Sequence, residues 1–292
     1  MYELIEDDVN LIKFYSFLKK NGIDKIAVDI ECESNLHRYG MEVNLIQFYD
    51  GKKAYIVDML KIKEKNILKK ILSSHDFVKV MFEASGDQLV IQNDLGIKVE
   101  PVIDLRIGLE MTGRKYGLSE VIREFDDDIV SDCQKSDWGK RPLSEKQLIY
   151  AARDVEFLFK ISKMLFTELT EKDLILTFLR KNFNVMSKDR ELNPFIGYKK
   201  MLLSGKVSRK KEQFLRTLWI TREKYARDFG VVPDKLIPKH LIEYIVKKYD
   251  SFNSDCIAEL AKKRAEKIDI TIFCNLFNEI WSLGHEADSL FL

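Results

Sequence analysis

The stretch that most narrows what this chain can fold into is Leu143–Phe159, LSEKQLIYAARDVEFLF. Ser144 with Gln147 three residues on is a capping-box start, and Pro142 just before it suits a helix boundary. In the helix so begun, Tyr150 and Asp154 lie four residues apart and share one face. The same face continues as Phe157, Ile161 and Leu165, so a phenol and a carboxylate interrupt a stripe that otherwise reads as buried. A buried carboxylate is costly unless it is paired or binds a metal.

The sequence offers three further acids as partners for Asp154. In IAVDIE (26–31), the apolar Ile26, Val28 and Ile30 alternate with Ala27, Asp29 and Glu31, a strand period. Asp29 and Glu31 therefore point to one side, roughly 7 Å apart along the strand. Asp87 follows the strand-like FVKVMF (77–82), at the turn into a helix. Four carboxylates from two strand regions and a late helix make an oxygen cage of the kind that hard divalent cations such as Mg²⁺ and Mn²⁺ prefer. Two such ions can activate a water and stabilise the leaving oxygen of a phosphodiester.

The remaining signals place this cage in a mixed α/β domain. Residues 2–5 read as a short strand, and Asp8 as the N-cap of a helix from Val9 to Lys20 closed by Asn21-Gly22. VNLIQFYD (43–50) and KKAYIVD (52–58) flank Gly51 as a hairpin. Helices are expected at 64–72, Ser85–Asp94, up to Gly113, and Leu118–Phe125, with a loop at 126–142. A meander followed by alternating strands and helices implies a mixed sheet with helices on both sides. This domain is expected to span residues 1–169. A connector follows at 170–195, helical to Phe183 and polar from Ser187 to Pro194. From 196 to 292 the strand signals stop, and helices are expected at Lys211–Phe229, Leu241–Tyr249, Ile257–Lys263 and Ile270–Trp281.

The net charge of +1 conceals an asymmetry: between Tyr198 and Tyr249 there are fourteen Lys/Arg against five Asp/Glu, and the rest of the chain carries eight net negative charges. A basic module beside an acidic one fits phosphate binding beside cation binding. Four scattered cysteines suit a reducing, cytoplasmic setting. The acidic start MYELIEDDVN is unlike a signal peptide, and no apolar run is long enough to span a membrane.

Taken in order, IAVDIE, NLIQFYDG, ASGDQL and SDWGKRPLSEKQLIYAARDV resemble the ribonuclease D branch of the DEDD exonucleases, the DEDDy type with tyrosine in the last motif. SRKKEQFLRTLWITREKYARDFGVVPDKLIP (208–238) resembles, more loosely, the helicase-and-RNase-D C-terminal (HRDC) module. The resemblance implies a ribonuclease H-like fold, two divalent metal ions (Mg²⁺ or Mn²⁺), and stepwise 3′-to-5′ release of nucleoside monophosphates from RNA. It assigns Asp29, Glu31, Asp87 and Asp154 to the metals, and Tyr150 to positioning the attacking water. Ribonuclease D usually has a histidine five residues before the second-motif acid; this chain has Phe82.

For RNA contact, Trp138, Lys140 and Arg141 are candidates at the entry for the 3′ end, Arg141 near phosphate. The competing reading has Trp138 packing the loop down and the charges solvated. Gln47 borders the terminal nucleotide in the family picture, with a structural role as its alternative. The basic run Lys206, Arg209, Lys210 and Lys211 is a further candidate for phosphate contact. The expected substrates are transfer RNA precursors or other small structured RNAs. DNA or very short oligoribonucleotides as substrate, and a non-catalytic RNA-binding role, stay open on sequence alone.

Overall fold

A computed structural model describes residues 1–114, 117–126, 133–188, 190, 192–205, 207–248, 275–276 and 278–280. Contacts within it group the chain into two units: Met1–Glu33 with Met41–Glu191, and Ser34–Gly40 with Leu192–Leu292.

The first unit is built on a six-stranded sheet in the order β1-β4-β3-β2-β5-β6. The strands are β1 (Tyr2–Ile5), β2 (Lys25–Ser34), β3 (Met41–Tyr49), β4 (Ala54–Asp58), β5 (Val78–Met81) and β6 (Val102–Asp104). β1 runs parallel to β4, β2 to β5, and β5 to β6, whereas β3 and β4 are antiparallel. The sheet is therefore mixed, as expected. Its flanking helices are α1 (Asp8–Lys20), α2 (Lys65–Leu72), α3 (Ala84–Leu95), α4 (Leu105–Met111), α5 (Leu118–Arg123), α6 (Glu145–Glu171) and α7 (Ile175–Met186).

β2 lies inside the sheet, and Ile26, Ala27 and Val28 are wholly buried, so both its faces are covered. The β3–β4 hairpin turns where expected. Asp50 accepts the backbone N–H groups of Lys52 and Lys53, and Gly51 takes φ +97°, a conformation that costs glycine little. One boundary differs by a residue. Asp7, not Asp8, caps α1, accepting from the Asn10 N–H at 2.7 Å. The Asp8 carboxylate instead accepts the N–H groups of Lys63 and Glu64, just before α2, at 2.9 and 3.0 Å.

α6 begins at the expected capping box, with Gln147 N–H donating to Ser144 Oγ and Ser144 N–H to Gln147 Oε1. Its inner stripe, Phe157, Ile161 and Leu165, is buried. Each such side chain contributes about 2 kcal/mol of transfer free energy. α4 approaches this stripe closely enough that a Cβ on Gly108 would lie 2.6 Å from Leu165. Glycine is what allows the approach.

In the second unit all described elements are helical. α8 (Tyr198–Leu203), α9 (Glu212–Asp228), α10 (Pro233–Leu236) and α11 (Lys239–Lys247) surround a core that includes Leu215, Leu218, Ile242 and Ile245. α8 and the four-residue α10 have no counterpart among the expected helices. On α9, Phe214 and Leu218 are buried and Tyr225 is half-buried. Trp219 fixes the entry to this unit: its Nε1 donates to the Pro194 carbonyl, and a Cβ on Gly197 would meet its ring at 2.4 Å. The expected helix at 257–263 and most of that at 270–281 lie outside the described residues, as does Lys206. No helix among the described residues is long and apolar enough to cross a membrane.

Candidate active site

Strand β2, the first turn of α3 and the middle of α6 bring the predicted acids together. Asp29 and Glu31 leave β2 on the same side, two residues apart, and meet Asp154 of α6. Carboxylate oxygens of these three residues lie within 4.8 Å of one another. Asp87 and Tyr150 line the same cleft, of about 870 Å³, together with Phe82. The Tyr150 hydroxyl donates to the Asp154 carboxylate.

The electrostatics of this cluster are those of like charges held at close range. Burial pushes the Asp29 carboxyl up to about 7, against the opposing pull of the Ile30 N–H. Burial, then the charges of Asp29, Asp154 and Asp87, hold Glu31 well above the carboxylate range. Asp87 is raised by burial and by Asp29, Asp104 and Glu83. Tyr150 is also raised, by burial and by Asp154 and Glu31, so the phenol stays protonated and acts as a hydrogen-bond donor. An all-oxygen donor set of carboxylates fits a hard divalent cation, which would remove the repulsion that the fold otherwise sustains.

Asp29 holds its proton up to about 7 when folded but releases it near 3.8 in an unfolded chain. The native state therefore binds more protons between those values, and stability falls as pH rises through that window. Asp104, raised to about 6 by burial, acts in the same direction. In EDTA, the melting temperature is expected to drop from pH 5 to pH 7, and adding Mn²⁺ at pH 7.5 should raise it again. A flat cation-free profile with no response to Mn²⁺ would contradict this account of the cluster.

The other predicted contacts are placed differently. Gln47 is wholly buried on β3, inside the sheet, with both amide atoms lacking a protein hydrogen-bond partner. It cannot present its side chain to a nucleotide. Trp138 is buried too, its ring 6.1 Å from that of Tyr150, so it packs the loop and does not offer a stacking face. Arg141, expected near phosphate, is half-buried and bound to groups of the protein itself. Its guanidinium grips the Asp58 carboxylate at 2.7 and 2.6 Å and also donates to the carbonyls of Trp138 and Lys140. Lys140 and Lys210 are exposed. Lys211 is half-buried and donates to the Lys247 carbonyl at 3.2 Å. The side chain of Arg209 and all of Lys206 lie outside the described residues.

Sequence reasoning passed over Asp104. It ends β6 and is almost fully buried, with its carboxylate accepting the N–H groups of Glu83, Ala84 and Arg106. It thereby anchors the start of α3 as well as capping α4. The available signal was an aspartate directly between an apolar run and a helix, in VIDLR.

Residues 2–170 match the family described as 3′-5′ exonuclease. The chain belongs to the 3′-5′ exonuclease family. Among curated relatives of this exonuclease, the ribonuclease D of Serratia proteamaculans (strain 568) is 28% identical over 236 residues, covering 79% of this chain and 62% of that protein. The exosome complex exonuclease RRP6 of Saccharomyces cerevisiae is 28% identical over 241 residues, 76% of this chain and 33% of that protein. The chain thus spans less than two thirds of either relative. A crystal structure of Escherichia coli RNase D, described as an exoribonuclease involved in structured RNA processing, superposes with a TM-score of 0.71 at 22% identity, covering 96% of this chain and 75% of that one. These likenesses bear out the resemblance to ribonuclease D and its fold.

Proposed function

We propose that this exonuclease is a metal-dependent 3′-to-5′ exoribonuclease that hydrolyses phosphodiesters and releases nucleoside monophosphates. The observation that carries the reading is the meeting of Asp29, Glu31 and Asp154 within 4.8 Å, in a cleft that Asp87 and Tyr150 also line. These four acids would hold two Mg²⁺ or Mn²⁺ ions. When bound, the ions supply an activated water and charge stabilisation for the departing 3′ oxygen.

The chain's own groups do the rest. Tyr150, fixed by its hydrogen bond to Asp154 and kept protonated, orients the attacking water toward the terminal phosphorus. Trp138 packs near Tyr150 and limits its movement. Phe82, where the family usually carries histidine, gives the cleft an apolar wall beside Asp87 and can contribute no proton. Lys140, Lys210 and Lys211, with Lys206 and Arg209, supply phosphate contacts, and the second unit acts as an HRDC-like RNA-binding module. Its charge makes binding weaken with salt. Support for RNA as substrate comes from the ribonuclease D and RRP6 relatives. The 3′ ends of transfer RNA precursors or other small structured RNAs are the proposed targets, in the cytoplasm, a compartment that the free thiols of Cys32 and Cys133 suit.

The test is a 5′-labelled single-stranded RNA incubated with Mg²⁺ or Mn²⁺, beside an Asp154→Ala variant and an EDTA control. A ladder shortening from the 3′ end, absent from both controls, is expected. RNA that is bound but uncut with every metal would overturn the enzymatic reading. Equal rates on a matched DNA strand would remove the preference for RNA.

A further inference from the structure

We propose that Asn182 of α7 and Arg190 just beyond it are positioning residues that clamp the start of α3 and so hold Asp87 in place. The inference rests on the reading of Asp87 as a metal ligand. α3 is poorly started by its own sequence. Glu83 precedes it in the left-handed conformation, φ +58° and ψ +38°, and makes no side-chain cap. That conformation is strained for a residue with a Cβ. The exposed N–H groups of a helix start must find acceptors elsewhere. Here Asp104 accepts from Glu83 N–H at 2.9 Å and from Ala84 N–H at 3.1 Å.

Asp104 is itself at risk of fraying, because β6 is three residues long and forms an edge of the sheet. Asn182 closes that edge. Its Oδ1 accepts the Asp104 N–H at 2.8 Å and its Nδ2 donates to the Val102 carbonyl at 2.7 Å, as a neighbouring strand would. Asn182 is buried, so water does not offer these bonds in its place. A second hold comes from Arg190. Its guanidinium donates to Ser85 Oγ at 3.0 Å and Gln88 Oε1 at 2.8 Å, the two α3 side chains that bracket Asp87. Gln88 in turn donates to the Val99 carbonyl at 2.9 Å. Two side chains from one stretch that follows α6 therefore fix the first turn of α3 at independent points, and neither lines the cleft.

The experiment measures Mn²⁺ binding to the full chain by electron paramagnetic resonance, with amide hydrogen exchange across residues 83–88. The variants are Asn182→Ala and Arg190→Ala, with Leu18→Ala, a buried residue of α1, as a control for general destabilisation. Each clamp variant is expected to bind Mn²⁺ about 10-fold more weakly, to exchange faster across 83–88, and to regain most of its rate at high Mn²⁺. Leu18→Ala should melt earlier with unchanged Mn²⁺ affinity. Wild-type Mn²⁺ affinity in both clamp variants would overturn the proposal and leave these residues with a purely structural part. A wild-type chain that takes up no Mn²⁺ would overturn it differently, by removing the metal reading on which it rests.

Discussion

Asp154→Asn should lose about 10³-fold of its rate of mononucleotide release and yet melt, in EDTA, at or above the wild-type temperature. The two halves of this result have one cause. Carboxylate oxygens of Asp154, Asp29 and Glu31 lie within 4.8 Å, an arrangement that a cation rewards and an empty site opposes. Losing one charged ligand forfeits several kcal/mol of transition-state stabilisation. About 4 kcal/mol corresponds to about 10³ in rate. Without the cation, the same charge adds to the repulsion that, after burial, holds Glu31 above its ordinary value. Removing it relieves the fold by about 1 kcal/mol, while the amide keeps the shape of the side chain. Single-turnover cleavage at saturating Mn²⁺ gives the first half and thermal melts in EDTA give the second. A variant that cleaves at the wild-type rate would dismiss Asp154 as a ligand. One that melts several degrees lower would show that Asp154 serves the fold, not the site.

The features read correctly from sequence are those whose cause is local. The capping box at Ser144 and Gln147 and the turn at Asp50-Gly51 are each decided by groups two or three residues apart. The alternation in β2 and the stripe of α6 report which side is buried, and so place Asp29 with Glu31 and Tyr150 with Asp154. Periodicity does not say that strand β2 faces helix α6; the resemblance to ribonuclease D supplied that pairing. What stayed hidden depends on partners far away in the chain. Asp8 would cap α1 by position, but the N–H groups of Lys63 and Glu64 draw its carboxylate away. Lys79, the one charged residue of the strand-like FVKVMF, is wholly buried, with its ammonium on the carbonyls of Ser74, Phe77 and Glu100. α8 is only six residues long, too short for a helical period to show.

Arg141 is the residue whose reading changes most, and its replacement by alanine should lower the stability of the first unit by about 3 kcal/mol. Beside Trp138 and Lys140 a guanidinium looks like a phosphate contact, because Asp58 lies 83 residues earlier and nothing in the sequence links the two. In the fold the Asp58 side chain is 1% exposed, and Arg141 meets both its oxygens. Removing the arginine leaves a buried carboxylate with the Leu60 N–H, at 3.1 Å, as its remaining donor among the described residues, and takes the donor from the Trp138 and Lys140 carbonyls. Breaking one side of such a pair costs about 3–5 kcal/mol, and the partial exposure of Arg141 favours the lower figure. Replacing both partners, as Arg141→Met with Asp58→Leu, removes the stranded charge and should return most of the loss. Urea unfolding of the three proteins measures this. RNA binding across a salt series supplies the contrast. A phosphate contact would lower the salt slope by about one in Arg141→Ala and leave unfolding unchanged. A structural tie shifts the unfolding midpoint and keeps the slope, because the guanidinium joins the Trp138 carbonyl to the buried Asp58 carboxylate.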